Sequence, residues 1–356
     1  MRTAVVFAAL IGIVACQDID FAYVQAATPA ASGPPIAAVS QPATYDSSAA
    51  ADAAAQAAAS NPSASDKKRR RLKRSPVPQD SGACAAQPDG YGPATTDPDT
   101  PDAFLSNSVY SDAANNAEVP QGYVESFSNL QGSLSMSTYE GLYTLEEYDP
   151  IQCQQLCDAA DSCYGINLYF ERDPSVDPGD GCDNPPSITN IKCTLWGSQV
   201  DGDAATNTGQ YRDNFQVVIA GSNGYSKNAP PPSYPDFDGP TELGGAINAP
   251  SGYIGVNYYP GPYDPSQCAA ACQATTQYDY DHPRSDGSYD ACNFFNSYVL
   301  SINDVPQGTY CSKYTEVWGK SYSTNYGQYD SQGNYYSVSQ SYGYSLDPQD
   351  PGQIPE

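Results

Sequence analysis

The cysteines of this chain are spaced in a way that indicates specific chemistry. Cys153 and Cys157 lie four positions apart, as do Cys268 and Cys272, so each pair shares one face of a predicted helix. Thiols at this spacing could bind zinc or form disulfides. A zinc site needs a second cluster of Cys or His, and none complements these pairs, since the chain has a single histidine, His282. The spacing therefore favours disulfides, and no metal site or cofactor is predicted.

Residues suited to catalysis are scarce. The lone histidine lies in the sequence Asp281-His282-Pro283-Arg284, near no nucleophile motif, and we expect a solvated loop there. With 41 acidic residues, the chain has enough carboxylates to form a catalytic pair of the kind that glycosidases use. These acids cluster in predicted loops of small domains, however. We therefore predict no catalytic residue and no enzymatic activity.

Four aspartates lie close together in the second half of the chain. They are Asp279, Asp281, Asp286 and Asp290. Calcium prefers oxygen ligands of this kind, but the spacing does not match that of an EF-hand loop. A solvated acidic loop is the favoured interpretation, and a metal site is the alternative.

Aromatic side chains are the better candidates for ligand contacts. The chain has 30 tyrosines and 2 tryptophans. Exposed rings of this kind can stack on sugars or anchor a protein partner, whereas the alternative is that they fill the core. Two asparagines also have two interpretations, either as buried residues that hold hydrogen bonds in the core or as ligand contacts. The candidate ligand-binding residues are Asn167, Tyr169, Trp196, Asn296, Tyr298 and Trp318.

Net charge restricts the partners. The formal charge is −26, and eight of the 15 basic residues lie in the first 74 positions. Nucleic acid is therefore excluded as a partner, because phosphate binding requires a positive surface. The same charge favours a neutral glycan or a basic protein surface.

The N-terminal region resembles the leader of a secreted protein. Residues 1–16 combine a charged start with an apolar run too short to span a bilayer, which predicts a signal peptide and no membrane span. Residues 17–74 are rich in Ala, Ser, Pro and Gln and end at the dibasic Lys73-Arg74. Such a site is typical of cleavage by a kexin-type protease, here before Ser75. Residues 17–74 are therefore predicted to be a disordered propeptide.

An internal repeat organises the rest of the chain. The blocks that recur in order are YDPIQCQQLC and YDPSQCAAAC, CYGINLY and CNFFNSY, CTLWG and the interrupted Cys311 with VWG, and the two copies of GQY. Four ordered blocks indicate two homologous domains. The predicted divisions are an acidic flexible leader (75–121), a first domain (122–226), a proline-rich linker (227–250), a second domain (251–345) and a tail (346–356).

Each repeat predicts one helix and a small sheet. The sequence Asp-Pro-x-Gln is typical of a helix start, with Asp149 and Asp264 as N-caps and Pro at the first helical position. The segments that begin at Cys163 and Cys292 alternate as strands. The predicted fold class is α+β, with one helix packed on a small antiparallel sheet in each disulfide-stapled domain.

This arrangement resembles the PAN/Apple superfamily, in which a C-x3-C helix is followed by a Cys-led aromatic strand and a C-x-L strand. The first copy matches at Cys153, Cys157, Cys163 and Cys193, the last of which leads C-T-L. The second copy departs from the pattern, because its cysteine spacing is longer and Cys311 leads C-S-K. The layout is also similar to secreted proteins of filamentous fungi.

The resemblance implies a disulfide pairing within each copy. The implied bonds are Cys153–Cys193, Cys157–Cys163, Cys268–Cys311 and Cys272–Cys292. Without Cys16, which lies at the predicted signal cleavage, Cys84 and Cys182 remain. They are expected to bond to each other, and an intermolecular bridge is the alternative.

The resemblance also implies a function. We expect a secreted, non-catalytic protein that recognises carbohydrate or protein at a cell wall or another extracellular surface. A structural or effector-type secreted protein without glycan binding is the alternative, and a carboxylate-based hydrolase is the third hypothesis.

Overall fold

The computed structural model describes residues 18–60, 82–94 and 97–355. Its helices are α1 (Phe21–Ala26), α2 (Ser47–Ser60), α3 (Pro101–Leu105), α4 (Ser108–Asn115), α5 (Pro150–Asp158) and α6 (Pro265–Asp281). The predicted signal peptide and the dibasic site at Lys73-Arg74 lie outside the described residues. Within the described ranges, no helix is long and apolar enough to cross a membrane.

The first half of the chain forms a five-stranded antiparallel sheet. Its strands are β1 (Tyr123–Leu130), β2 (Tyr139–Leu145), β3 (Gly165–Pro174), β4 (Ser187–Trp196) and β7 (Val218–Lys227), in the spatial order β1-β7-β3-β4-β2. A separate hairpin joins β5 (Tyr211–Arg212) to β6 (Phe215–Gln216). Helix α5 packs on the face of the sheet that carries Ile166, Leu168 and Leu195.

The second half repeats this topology. Its strands are β8 (Phe237–Glu242), β9 (Tyr253–Pro260), β10 (Phe294–Ile302), β11 (Val305–Tyr314), β12 (Gly327–Tyr329) and β13 (Tyr335–Leu346). Their order is β8-β13-β10-β11-β9, with β12 paired to the other end of β13. Helix α6 packs on this sheet as α5 does on the first. The α+β fold class is confirmed as mostly antiparallel sheets with few helices.

The second copy begins earlier than the sequence predicts. Strand β8 lies inside 227–250, the predicted linker, and takes the edge position that β1 has in the first half. Phe237 is buried, with its ring centroid 5.0 Å from that of Phe295. Pro240 is tolerated because β8 is an edge strand, where the missing N–H of a proline can fall at a position that makes no ladder hydrogen bond. The many prolines predicted a spacer, because proline is rare inside strands, and the short edge strand β8 was therefore missed.

Both predicted helix starts are confirmed. Asp149 Oδ1 accepts a hydrogen bond from the Ile151 N–H at 2.8 Å, and Asp264 Oδ1 accepts one from the Ser266 N–H at 2.9 Å. A proline follows each aspartate at the first helical position, where its missing N–H is not needed. Gln267, three positions after the N-cap, does not complete a capping box, because the Asp264 N–H donates to Thr309 Oγ1 instead.

Five disulfides join the described cysteines, and the pairing is the expected one. They are Cys84–Cys182, Cys153–Cys193, Cys157–Cys163, Cys268–Cys311 and Cys272–Cys292. In each half, one bond ties the helix to an inner strand, β4 or β11, and the other ties it to the segment that precedes β3 or β10. Cys84–Cys182 is intramolecular and spans 98 positions. This bond anchors residues 82–94 to the loop that follows β3.

Region 75–121, predicted as a flexible leader, is folded over most of its described part. Phe104 on α3 and Tyr110 on α4 are buried against the first sheet. The Tyr110 ring centroid lies 4.3 Å from that of Phe104 and 4.8 Å from that of Phe170. Two helices of five and eight residues are too short to show a clear apolar period, so the sequence did not indicate them.

Residues 18–60 also differ from a disordered propeptide. Helix α1 packs on the second sheet, residues 32–43 cross the first sheet, and α2 packs along α6. The buried side chains of this segment are Ile19, Val24, Ala54 and Ala58. They are too widely spaced to form a periodic pattern, and they become buried only because distant strands and α6 supply their partners.

Candidate functional site

One asparagine in each half holds the same set of hydrogen bonds. Asn167 Oδ1 accepts from the Leu134 N–H at 3.0 Å, and its Nδ2 donates to Ser222 Oγ and Asn223 O, both at 2.9 Å. Asn296 makes the equivalent bonds, with Ile247 N–H, Ser341 Oγ and Tyr342 O. Both side chains have no exposed surface. The repeated asparagine therefore fastens a loop to the central strands of each sheet.

Five of the six predicted ligand-binding side chains lie in the interior. They are Asn167, Tyr169, Trp196, Asn296 and Tyr298, each at most 2% exposed. The prediction left core filling as the alternative, and their burial supports that alternative. Asn167, Trp196, Asn296 and Tyr298 therefore belong to the core, whereas Tyr169 also lines a cavity described below.

Trp318, the sixth candidate, is half-buried and does not correspond to Trp196. Strand pairing places Trp196 opposite Tyr139, and the same position in the second half is Tyr314 opposite Tyr253. The repeated Trp-Gly pair in the sequence suggested a different alignment. Register, rather than residue type, shows which side chains are equivalent.

The sheet face that points away from α5 and α6, here called the outer face, differs strongly between the halves. In the first half it carries Tyr169, Glu171 and Asp173 on β3 and Asn190 and Lys192 on β4. At the same register positions the second half has Tyr298, Leu300, Ile302, Gly308 and Tyr310. The two outer faces therefore have different chemistry on one shared backbone plan.

Residues 32–43 run across the outer face of the first half. Gln41 and Leu142 exchange both main-chain hydrogen bonds, at 2.7 and 2.8 Å. Lys192, which is 1% exposed, donates from Nζ to the carbonyl oxygen of Ala38 at 2.9 Å. Main-chain groups of the segment thus satisfy polar groups of the sheet.

A cavity of about 340 Å³ lies between this segment and the outer face of the first half. Its walls are residues 32–38 on one side and β2, β3 and the 206–210 loop on the other. Apart from Glu171, the lining residues with polar side chains are uncharged: Ser32, Ser135, Tyr169, Thr206, Asn207 and Gln210. A second cavity, of about 240 Å³, lies beyond Ala37 and Ala38.

Among the described residues, Glu171 supplies the carboxyl group that lines the larger cavity. Burial is the main cause that raises the pKa of Glu171 well above its ordinary value, and the negative charge of Asp173 adds to this. Lys192 Nζ, 3.9 Å from Glu171 Oε1, partly offsets it. Glu171 thus stays protonated to a higher pH than a free glutamate, and in that form its carboxyl can both donate and accept hydrogen bonds.

Two of the charged groups beside the smaller cavity have close polar partners. Asn190 Nδ2 donates to Asp173 Oδ2 at 2.7 Å, and Arg212 forms an ion pair with Asp177. The ion pair neutralises Arg212, and the amide of Asn190 satisfies one oxygen of Asp173. The outer face of the first half therefore offers a ligand mainly uncharged hydrogen-bonding groups.

The four aspartates singled out in the sequence do not converge. Asp290 forms an ion pair with Arg284 at 2.7 Å, and Asp286 accepts hydrogen bonds only from its own loop. His282 caps the exposed end of α6, with Nδ1 2.8 Å from Tyr278 O. No three His, Cys, Asp or Glu side chains within the described ranges are arranged to hold a metal ion.

Comparisons with known proteins do not extend this description. No model of a known protein family matches the chain. No curated protein and no solved structure matches it either. The resemblance to the PAN/Apple superfamily therefore stays a prediction, and the cavity has to be interpreted from its own geometry.

The sequence did not single out Glu171, Asp173 and Lys192, because charged residues in a strand usually face water. The available signal was that Glu171 and Asp173 lie two positions apart on one strand, which indicates one polar face of the sheet. A second signal was also missed: LQGSLS at 130–135 recurs as LGGAIN at 243–248. This block contains the main-chain N–H groups that the two repeated asparagines bind.

Proposed function

We propose that this protein is a secreted, non-catalytic binding protein with tandem PAN/Apple-like domains, and that it holds one unit of a neutral glycan. The binding site is the cavity between residues 32–38 and the outer face of the first half. The observation that carries the proposal is the uncharged polar lining of a cavity of about 340 Å³. Five disulfides favour an oxidising, extracellular setting.

The chemistry of the lining suits hydroxyl groups. The amide of Gln210 can both donate and accept hydrogen bonds, as a sugar hydroxyl does, whereas the amide of Asn207 already bonds to Ser133 Oγ and the Gly209 N–H. The cavity volume is at the lower end of the range for small-molecule sites, about 300–1,000 Å³. The net charge of −26 disfavours an anionic ligand.

The placement of the carboxyl groups supports binding rather than hydrolysis. Glu171 and Asp173 are neighbours on one strand face, and they line different cavities on the two sides of Ala37 and Ala38. A glycosidase instead places two carboxylates on opposite sides of the bond that it cleaves. The hydrolase hypothesis therefore gains no support from these two residues.

A retention experiment tests the proposal. The purified protein with intact disulfides is incubated with insoluble chitin, β-glucan and cellulose, and a reduced sample is the control. We expect retention on at least one polymer and its loss on reduction. Absence of retention on all neutral polysaccharides would contradict the proposal and favour a structural or effector-type role. Release of soluble sugar would instead establish a hydrolase.

Variants locate the site. Gln210→Ala is expected to weaken retention about fivefold, because one hydrogen bond to a buried ligand contributes about 1 kcal/mol. Gln332→Ala, at an exposed residue far from the cavity, is the matched control and should not change retention. Equal retention by both variants would place the ligand elsewhere.

The pH dependence gives a second test of the same site. Retention should fall as the pH rises through the raised pKa of Glu171, because ionisation removes a donor and leaves a charge in a buried cavity. Glu171→Gln keeps a neutral donor at every pH, so its retention should stay constant. Parallel pH profiles for the two proteins would exclude Glu171 as a ligand contact.

A further inference from the structure

Residues 18–60 contain no cysteine, so no disulfide connects them to the rest of the molecule. Their one covalent connection runs through residues 61–81. The only adjacent basic pairs of the chain also lie in that stretch, at 67–74. A cut in that stretch would leave residues 18–60, which contact both halves, without a covalent link to them.

On the second half, the segment covers an apolar outer face. Ile19 and Val24 are 3% and 5% exposed and are buried among tyrosines of the sheet. The ring of Phe21 lies 4.6 Å from that of Tyr336, centroid to centroid. Main-chain groups are satisfied as well, since Asp20 N–H donates to a tyrosine hydroxyl at 3.0 Å.

Removal of this part would uncover a continuous apolar patch. The side chains of that patch in the second half are Val256, Tyr258, Tyr298, Leu300, Tyr310 and Tyr336. Monomeric proteins rarely expose a contiguous apolar surface of this kind to water. The hydrophobic effect therefore opposes departure of the segment.

Two further contacts hold the same segment. Residues 32–43 pair with the edge of the first sheet through the reciprocal bonds between Gln41 and Leu142. Beyond them, the hydroxyl of Tyr45 and the Oγ of Ser47 donate to Asp264 Oδ2 at 2.9 and 2.7 Å. Because the three contact regions belong to one chain, each keeps the others at high effective concentration.

Helix α2 adds the last contact. Its alanine-rich sequence lets it approach α6 closely, and Ala54 and Ala58 are fully enclosed at 2% and 0% exposure. Small side chains on both helices permit this close packing. The segment is thus attached along most of its length, from α1 to the end of α2.

We infer that residues 18–60 stay bound without a covalent link after the chain is cut within 61–81, so that the processed protein consists of two chains. The small chain is a structural subunit that covers both outer faces. This differs from the expectation that cleavage before Ser75 leaves residues 75–356 alone. The inference goes beyond the proposed function and does not depend on any ligand.

Cleavage of the purified full-length protein with a protease specific for paired basic residues tests the inference. The product is passed over a gel-filtration column in native buffer at micromolar concentration and analysed by mass spectrometry. We expect both chains in one peak, and their separation in denaturant without reducing agent. A small chain that elutes alone in native buffer would overturn the inference.

Two variants identify the contacts that retain the small chain. Ile19→Asp and Val24→Asp should each raise the dissociation constant on the order of a hundredfold, because a carboxylate would lie in an apolar face. Ala22→Asp is the matched control, because Ala22 is an exposed residue of the same helix α1, and it should leave the dissociation constant of the small chain unchanged.

A readdition experiment covers the case in which a variant folds poorly. The unaltered cut protein is separated in denaturant with its disulfides intact, and the large chain is returned to native buffer with a synthetic peptide of residues 18–60. Rebinding of the peptide, or peptide-dependent solubility of the large chain, supports the inference. A large chain that is folded and monodisperse without the peptide and does not bind it would contradict it.

Discussion

The two halves of this protein share one framework but present different outer faces. In both, an asparagine at the same register position fastens a loop, and two disulfides tie the helix to the sheet. On the outer face, however, Lys192 of the first half stands where the second half has Tyr310. Framework positions depend on several partners at once, so a single change there breaks many contacts. Outer-face positions depend mainly on what covers them.

The covering segment matches each face. Over the second half it offers apolar side chains, among them Ile19 and Val24, and over the first half it offers main-chain carbonyl oxygens, such as that of Ala38 to Lys192. A polar face covered by main chain leaves room for a cavity, whereas the apolar face is filled by side chains. The difference between the halves therefore locates the candidate site in the first.

The largest difference between the halves is expected in the stability lost when the equivalent outer-face residues Tyr310 and Lys192 are truncated. Tyr310→Ala is expected to lower the free energy of unfolding by about 3–5 kcal/mol, because a large ring leaves a packed apolar face. Lys192→Ala should cost about 1–3 kcal/mol, since it mainly leaves the Ala38 carbonyl unsatisfied. Denaturant unfolding with intact disulfides measures both, and exposed Tyr211→Ala is the control. Equal losses would contradict the comparison.

Truncation of the repeated asparagines should instead have the same effect in both halves. Asn167→Ala and Asn296→Ala are each expected to lower the free energy of unfolding by about 2–4 kcal/mol, because each leaves buried main-chain groups without partners. The same unfolding experiment applies, with the exposed Asn228→Ala as control. A large effect in one half only would show that the framework is not equivalent.

Glu140 of the first half lies at the register position of Ile254 in the second half. Only the first half is therefore expected to have a stability that depends on pH at this position. Glu140 as a whole is 9% exposed, and its two carboxyl oxygens are buried without a hydrogen-bond partner within the described part of the chain. Burial first, and then the charges of Asp161 and Asp264, raise the pKa of Glu140 to about 9. The protonated form is thus favoured in the folded state, compared with an unfolded value of about 4.3.

The contribution of Glu140 to the free energy of unfolding is therefore most favourable below its pKa in the unfolded chain, and it falls as the pH rises towards 9. The slope is at most about 1.4 kcal/mol per pH unit for a single group. Glu140→Gln removes this loss, so the variant should be about 2–3 kcal/mol more stable than the wild type near neutral pH and similar to it at about pH 4. Unfolding curves across this range measure the difference, and a constant offset would contradict the assigned cause.

Several features followed from local sequence signals. The helix starts at Asp149 and Asp264 were predictable because an N-cap and a following proline act on their own immediate neighbours. The disulfide partners followed from repeated spacing together with a family resemblance, and the α+β class followed from the order of helix and strand patterns. The helix starts depend on neighbouring residues, whereas the disulfide partners are 6 to 98 positions apart and were identified through the repeat and the resemblance.

The candidate site was decided by tertiary structure alone. Glu171 and Gln210 meet residues 32–38 only after chain segments far apart in sequence come together. The small edge strand β8 and the docked residues 18–60 likewise lack strong local preferences, because their burial is supplied by partners elsewhere. Sequence thus determined the repeated framework, where short-range preferences suffice. Folding decided which faces are covered and where a cavity remains, because burial depends on long-range contacts that no local pattern records.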